Sequence, residues 1–239
     1  MYKRQGKSTV IKEIILDLLG KTEDRVGLIS LEESIGDTAE KFISMSLRRS
    51  IQDPPPIEEQ DLRAGYAAVF GDERLVLLDH QGSVGDNSLI DKIEYMALMG
   101  CKYLVLDHIT IAVSEGSEGL SGNEAIDKVM SDLLKVVKRH NVWLGLISHL
   151  RKSQGKSFEE GNLASIDDIK GSGSIKQISF DIIAFARNLI AEDEMERNTV
   201  HFRVLKSRFT GKTGDAGCAI YDPTTTRLTL GEAGFDYIG

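Results

Sequence analysis

The run Gly6-Lys7-Ser8-Thr9, followed by an amphipathic pattern, has the residue types needed to bind phosphates. It matches the end of the loop Gly-x4-Gly-Lys-[Ser/Thr], whose backbone N–H groups surround phosphate oxygens at a helix N-terminus. In such a loop Lys7 would reach the β- and γ-phosphates, and the Ser8 hydroxyl would ligate Mg²⁺. Met1 stands where the first glycine of the pattern is expected. A match this short also arises by chance, so the interpretation depends on the rest of the chain.

Three apolar, strand-like runs end in polar residues of different chemistry: Glu32, Asp107 and His149. Because ligands of open α/β sheets bind at the carboxyl ends of the strands, these groups are expected at one edge, beside the phosphate loop. Asp107 would hold Mg²⁺, Glu32 would activate the attacking water, and His149 would sense the γ-phosphate. Each residue alone is better explained by solvent exposure or helix capping. These three features together with the phosphate loop, in this order, rarely occur by chance.

A later strand ends in two cations, Lys206 and Arg208, whose two-residue spacing places them on one face. Both could reach one phosphate, and an arginine can stabilise a transferring phosphoryl group from a neighbouring subunit. A solvated basic strand end gives the same pattern.

The polar, Gly/Ser-rich segment Arg151–Ser174 contains basic residues that suit a nucleic-acid backbone. Arg151, Lys156 and Lys170 are the candidates, and Phe158 is the one aromatic residue among them. Contact would therefore be to the backbone and independent of sequence. A plain solvated loop is the alternative, and the net charge of −8 excludes only a protein that is basic over its whole surface.

The elements that must position these residues alternate between strand and helix patterns. The predicted strands are Val26–Leu31, Leu75–Leu78, Tyr103–Leu106, Val142–Ile147, Ile182–Phe185 and Val200–Leu205. The predicted helices are Lys7–Leu19, Thr38–Ser50, Asn87–Met99 and Asn123–His140, and Ser34 with Asp37 predicts a cap before the second. This alternation predicts an α/β fold with a mostly parallel sheet flanked by helices. Gly217–Tyr221 and Arg227–Leu230 predict a C-terminal β-hairpin.

The composition fits one large α/β domain. The chain has 239 residues, of which 41% are hydrophobic and 28% charged, and this excludes a disordered or fibrous protein. No apolar stretch approaches the roughly 18 residues that a membrane span needs. The two cysteines, Cys101 and Cys218, form no disulfide or metal pattern and favour a reducing, cytoplasmic setting.

Taken together, the motifs resemble the hexameric replicative DNA helicases, above all the phage primase–helicases and the mitochondrial helicase Twinkle, with DnaB more distant. The resemblance covers Gly6 to about Leu230. Its motifs are Gly-Lys-Ser-Thr at 6–9, Ser-Leu-Glu-Glu-Ser at 30–34, Leu-Asp-His-Ile-Thr at 106–110, Ile-Ser-His-Leu-Arg-Lys at 147–152, Ile-Lys-Gly-Ser-Gly-Ser-Ile-Lys-Gln at 169–177, Phe-Ala-Arg-Asn at 185–188 and Leu-Lys-Ser-Arg-Phe-Thr-Gly at 205–211.

The resemblance implies a RecA-like P-loop NTPase domain that assembles as a ring, usually of six subunits, with nucleotide between neighbours. It implies hydrolysis of ATP or dTTP with Mg²⁺, movement 5′ to 3′ on single-stranded DNA in the central channel, and duplex unwinding. Primase and DNA polymerase are the further partners it suggests. A phage-infected bacterial cell is the setting favoured over a mitochondrial matrix.

The resemblance also implies roles for individual residues. Gly6, Lys7, Ser8 and Thr9 would bind the nucleotide, with Ser8 and Asp107 on the metal. Glu32 would be the catalytic glutamate, His149 the sensor, and Arg208 the arginine finger, with Lys206 its companion. Arg187 and Tyr221 would flank the base, and Gln177 would couple DNA to nucleotide. Arg151, Lys156 and Lys170 would lie in the loops that face the DNA.

The departure from the family pattern is the start of the chain, where the first strand of the phosphate loop is missing. The expected organisation is a helicase domain over residues 1–230 and a tail over 231–239. Two other readings stay open. One is a recombination ATPase of the RecA/RadA type, and the other is a non-catalytic DNA-binding fragment.

Overall fold

A computed structural model describes residues 7–79, 88–109, 122–151, 158, 160–170 and 173–231. Its helices are α1 (Lys7–Lys21), α2 (Ile35–Leu47), α3 (Glu59–Phe70), α4 (Ser88–Leu98), α5 (Gly122–His140), α6 (Gly173–Ile178) and α7 (Glu194–Asn198). Its strands are β1 (Arg25–Ser30), β2 (Leu75–Asp79), β3 (Cys101–Asp107), β4 (Trp143–Leu146), β5 (Asp181–Arg187), β6 (Thr199–Ser207), β7 (Gly214–Asp222) and β8 (Arg227–Leu230). The predicted site residues Gly6 and Lys156 lie outside the described residues.

The first four strands form the predicted parallel sheet, in the order β2-β1-β3-β4. Strand β1 is central, and Ile29 is level with Leu78 on one side and Leu106 on the other. The carboxyl ends of β1 and β3 therefore lie at one edge, where Ser30 pairs with Asp107. Among the described helices, none combines the length and apolarity that crossing a bilayer would need.

Alternate residues of the parallel sheet build two separate hydrophobic layers, as the period of a strand requires. Leu28 and Val105 pack with Ile15 of α1 and Phe42 of α2 on one face. On the other face, the layer is built from side chains of β1, β3, α4 and α5; its most buried members include Ile29, Leu104, Leu106, Ile93, Met96 and Leu133. The sheet is thus covered by helices on both faces, which leaves its edges for chemistry.

Gly27 in the central strand marks a close approach between the sheet and α4. A Cβ atom at this position would lie 2.9 Å from Cδ2 of Leu104 and 2.9 Å from Sδ of Met96. Any larger residue would therefore push the helix away from the sheet.

The last four strands form a second sheet, antiparallel, in the order β5-β6-β7-β8. The predicted C-terminal hairpin is its β7–β8 part. Strand β5 pairs with β6 and not with the parallel sheet, and the segment between β5 and β6 holds only the five-residue helix α7. A parallel crossover needs a dozen or more residues, so this connection favours antiparallel pairing.

Helix α3 has no counterpart among the predicted helices. Only Gly65 and Val69 of its residues are buried. Its apolar periodicity is therefore too weak to be read from the sequence. The cap predicted before α2 is present, since the Ser34 side chain accepts a hydrogen bond from the Asp37 N–H at 3.0 Å.

A bidentate ion pair holds the C-terminal hairpin against α1. The Arg227 guanidinium donates to both carboxylate oxygens of Glu13 at 2.8 Å, and the Leu228 N–H donates to Oε1 at 2.7 Å. The Arg227 and Glu13 side chains are only 27% and 16% exposed. This contact joins the second sheet to α1, the helix that begins at the predicted phosphate-binding residues.

We expect Arg227→Ala to lower the free energy of unfolding by about 2–3 kcal/mol, because it strands a half-buried carboxylate that loses charged hydrogen bonds. Urea denaturation of the full chain measures the change. Arg63→Ala, which breaks an exposed pair with Glu59, is the control and should cost about 0.5 kcal/mol or less. Equal losses in both variants would contradict the prediction.

Candidate active site

The N-terminus of α1 meets the end of β3, as the sequence predicts. The Ser8 hydroxyl donates to Oδ2 of Asp107 at 3.2 Å. Asp107 is only 7% exposed, and burial raises the pKa of its carboxyl group. Burial also lowers the pKa of Lys7, against the attraction of the carboxylates of Asp107 and Glu32. A lysine, a hydroxyl and a buried carboxylate therefore share one partly desolvated corner.

Ser8 and Asp107 are the residues that could hold Mg²⁺. They offer one hydroxyl and one carboxylate, both oxygen ligands, which this ion prefers. Burial without a full counter-charge disfavours the Asp107 carboxylate, and a divalent cation would offset that cost. The residues present therefore fit the ion.

Glu32 follows β1 and extends toward the same corner. The preceding residue, Leu31, is fixed by a hydrogen bond from its N–H to the Asp107 carbonyl at 2.6 Å. Oε1 of Glu32 lies 2.8 Å from Nε2 of His108, while the Glu32 side chain remains 47% exposed. The carboxylate is thus held at its tip and open to water.

His149 follows β4 and lies close to His108, with 3.9 Å between the ring centroids and 55° between the ring planes. Burial, with the positive charge of Lys7 as the next contribution, lowers the pKa of His149 to about 4. The imidazole is therefore neutral at physiological pH and can act as a hydrogen-bond partner for a phosphate oxygen.

A half-buried ion-pair group lies directly behind Glu32. Lys12 of α1, only 4% exposed, donates to Oε2 of Glu33 at 3.2 Å, and Lys41 of α2 pairs with Oε1. Burial opposes the charged form of Glu33, but Lys12 and Lys41 hold its pKa below the ordinary value. Its N–H donates to the Ser30 hydroxyl at 3.1 Å. These contacts fix the turn that presents Glu32.

We expect Lys12→Met to lower the turnover of nucleotide about tenfold with little change in KM, because a misplaced Glu32 weakens only the chemical step. Lys21→Met is the control, since Lys21 lies on the same helix with its side chain 73% exposed. Steady-state hydrolysis gives kcat and KM for each variant. A rise in KM with unchanged kcat would mean that Lys12 binds nucleotide instead.

A cleft of about 850 Å³ extends from this corner. Lys7, Ser8, Thr9, Lys12, Glu32, Asp107 and His149 are among the residues that line it. Tyr221 and Thr226, from the second sheet, line it as well. Arg187 is beside Tyr221, with its guanidinium carbon 5.4 Å from the ring centroid. The pair predicted to flank a base is therefore together, and Tyr221 faces the cleft.

The two cations predicted at the end of β6 lie apart from this group. Neither Lys206 nor Arg208 is among the described residues that line the cleft. Nη2 of Arg208 donates to the Gln177 carbonyl at 2.9 Å, and its guanidinium lies over the Phe180 ring at 4.9 Å. Nζ of Lys206 donates to the Ser179 carbonyl at 2.7 Å. Both cations thus contact the end of α6 and the residues directly after it.

The segment with the predicted DNA-facing residues is hydrogen-bonded through its backbone to His149, the predicted sensor. The Lys170 N–H donates to the His149 carbonyl at 2.9 Å, and the Arg151 N–H donates to the Asp168 carbonyl at 2.7 Å. Leu150 and Ile169 form the antiparallel bridge between these contacts. The segment that carries Lys170 is therefore paired directly with the strand end that carries His149.

Three residues of this site, His108, Lys12 and Glu33, were not predicted from the sequence. His108 contacts both Glu32 and His149, and its position directly after Asp107 at a strand end was a usable signal. Lys12 and Glu33 gave no such signal, because their pairing depends on how α1 packs beside the end of β1.

Comparisons with solved structures show the class of fold. A solved ATPase domain superposes with a TM-score of 0.77 at 18% identity, and the match covers 95% of this chain and 81% of that domain. A DnaB-like replicative helicase, solved to show its interactions with primase, superposes with a TM-score of 0.67 at 17% identity and covers 87% of this chain and 50% of that chain. The chain therefore shares the α/β fold of these solved proteins, as predicted.

Within that class, the chain is related in sequence to a phage protein. It is 36% identical over 227 residues to the DNA helicase/primase of Enterobacteria phage T3. The match covers 92% of this chain and 39% of the phage protein, so the chain spans about two fifths of its relative's length. No protein-family model matches the chain. The resemblance predicted from the motifs is confirmed.

Proposed function

We propose that this chain is the motor domain of a replicative DNA helicase, which hydrolyses a nucleoside triphosphate with Mg²⁺ and moves along single-stranded DNA. One observation carries the proposal. Lys7, Ser8, Glu32, Asp107 and His149, which are far apart in sequence, converge on one cleft at the carboxyl edge of the parallel sheet. The similarity to a phage DNA helicase/primase supports DNA as the track.

Each residue of the cleft has a distinct part in hydrolysis. Lys7 and the N–H groups at the start of α1 bind phosphates, and Ser8 with Asp107 would hold Mg²⁺, which neutralises charge on the phosphates when bound. Glu32 accepts a proton from the attacking water, and its contact with His108 keeps the carboxylate oriented. Neutral His149 donates a hydrogen bond to the γ-phosphate, with no change of charge.

The proposal includes a ring of identical subunits with nucleotide between neighbours. The cleft has Lys7 and Glu32 but neither Lys206 nor Arg208 among its described lining residues, so one chain supplies an incomplete set. A neighbour that presents Arg208 would complete it, since an arginine stabilises the transferring phosphoryl group in trans. Six subunits is the ring size that the family resemblance implies.

Two contacts support a link between DNA and hydrolysis. The backbone of Lys170 is hydrogen-bonded to His149, and the Gln177 carbonyl is hydrogen-bonded to Arg208. Arg151 and Lys170 would bind the phosphates of single-stranded DNA, with Lys156 beside them in sequence. A movement of this segment on DNA binding would then change the position of His149 in one nucleotide site and of Arg208 at the neighbouring site.

The finer parts of the proposal follow the resemblance. They are movement from 5′ to 3′, duplex unwinding with ATP or dTTP, and work beside a primase and a DNA polymerase in a phage-infected bacterial cell. Residues 1–230 would act as one motor domain, with 231–239 as its tail.

The experiment is nucleotide hydrolysis by the purified 239-residue chain with Mg²⁺, with and without single-stranded DNA. Strand displacement on a duplex with a 5′ tail is measured beside it. Stimulation by DNA together with displacement supports the motor. Tight DNA binding with no hydrolysis points to the binding-only alternative.

If the 239-residue chain hydrolyses no nucleotide, a second chain distinguishes the motor domain from the binding-only alternative. It carries a complete Gly-x4-Gly-Lys-Ser loop and its strand in front of α1. Recovered hydrolysis supports the motor domain, and continued silence with intact DNA binding contradicts it.

A further inference from the structure

One carboxylate and two imidazoles form a cluster beside the proposed magnesium ligands. Glu32, His108 and His149 each offer one ligand atom, and these atoms all lie within 4.8 Å of one another. The side chains come from the ends of three neighbouring strands, so the fold itself brings them together. Hydrolysis as proposed uses His108 only to orient Glu32, so a direct ligand role for this second imidazole is a separate question.

The donor set differs in kind from that of Ser8 and Asp107. Two imidazoles and a carboxylate form the ligand set of many zinc sites, with water in the fourth position. Mg²⁺ takes oxygen ligands and competes poorly for imidazole nitrogen. The two ion types would therefore select different residues of the same cleft.

The ligand atoms must approach one another by up to about 1.4 Å to bind one ion. Zinc bonds to nitrogen and oxygen are about 2.0–2.2 Å, so ligand atoms on one ion lie roughly 3.4 Å apart. The His108 side chain is 5% exposed and fixed by its surroundings, whereas that of Glu32 is 47% exposed. Rotation of the exposed carboxylate would let an ion replace the direct contact between Glu32 and His108.

We propose that Glu32, His108 and His149 form a second cation site, which takes a transition-metal dication of the zinc type and thereby inhibits the enzyme. The inhibition rests on the proposed function. A zinc ion held here would take the Glu32 carboxylate from the attacking water and the His149 nitrogen from the γ-phosphate. Ser8 and Asp107 would still accept Mg²⁺, so added magnesium would not relieve the inhibition, while a zinc chelator would.

Zinc binding tests the site without reference to hydrolysis. The full chain, without nucleotide, is titrated with Zn²⁺ in competition with a chromogenic chelator. We expect Glu32→Gln and His149→Gln each to weaken one zinc equivalent more than about tenfold. His140→Gln is the matched control, because His140 also lies 2.9 Å from a glutamate, Glu94, but belongs to no three-residue cluster among the described residues.

Glu32→Gln changes a half-exposed side chain, so loss of folding does not confuse the result. The absorption spectrum of bound Co²⁺ adds a direct view, since imidazole ligands in a tetrahedral site should give bands that His149→Gln removes. Zinc affinity unchanged in both cluster variants, or lowered equally in His140→Gln, would overturn the proposal. Either result leaves the helicase proposal intact, because hydrolysis is measured separately.

Discussion

Glu32→Gln is expected to reduce the DNA-stimulated turnover of nucleotide by roughly 100-fold to 10,000-fold, the range of a positioned general base. The change keeps the size of the side chain and its place beside His108, but an amide cannot take a proton from water. Lys7, Ser8 and Asp107 are untouched, so nucleotide affinity should stay within a few-fold. Single-turnover hydrolysis and nucleotide binding, measured on the same preparation, separate the two effects.

The control is Glu59→Gln, the same chemical change on the exposed face of α3. It should leave turnover and affinity unchanged. Turnover in Glu32→Gln within threefold of the parent chain would show that another group activates the water. Equal loss of binding and turnover would show that Glu32 holds nucleotide or metal instead.

The parallel sheet and its polar edge could be predicted because local patterns specify them. Continuous apolar strands such as Tyr103–Leu106 are typical of a sheet covered on both faces, and the rule that ligands bind at the carboxyl edge places Glu32, Asp107 and His149 together. Register does the rest, since Ser30 is level with Asp107.

What could not be predicted depends on contacts between segments far apart in sequence. Lys12 reads as one more polar residue of an amphipathic helix, yet it is buried against Glu33, a pairing across 21 positions. Arg227 reads as the start of a hairpin strand, and its partner Glu13 is 214 positions away. No periodicity marks either pair, because each is set by how finished elements dock.

Arg208→Ala is expected to lower DNA-stimulated turnover by about 1,000-fold or more, the usual contribution of an arginine finger. Arg203→Ala, an exposed arginine on β6, the strand that ends just before Arg208, is the control and should have little effect. The larger claim is that Arg208 acts on the neighbour's nucleotide. Its contacts with Gln177 and Phe180, away from the cleft of its own chain, support this proposal.

Mixing two inactive variants tests that claim directly. In Lys7→Ala the nucleotide site is lost but Arg208 is intact, and in Arg208→Ala the reverse holds. If the finger acts in trans, co-assembled rings contain interfaces with both intact residues, and random mixing makes them about a quarter of the total in a closed ring. Hydrolysis should therefore rise well above that of either variant alone. If Arg208 served its own site, every subunit would carry one defect and the mixture would stay as inactive as its components.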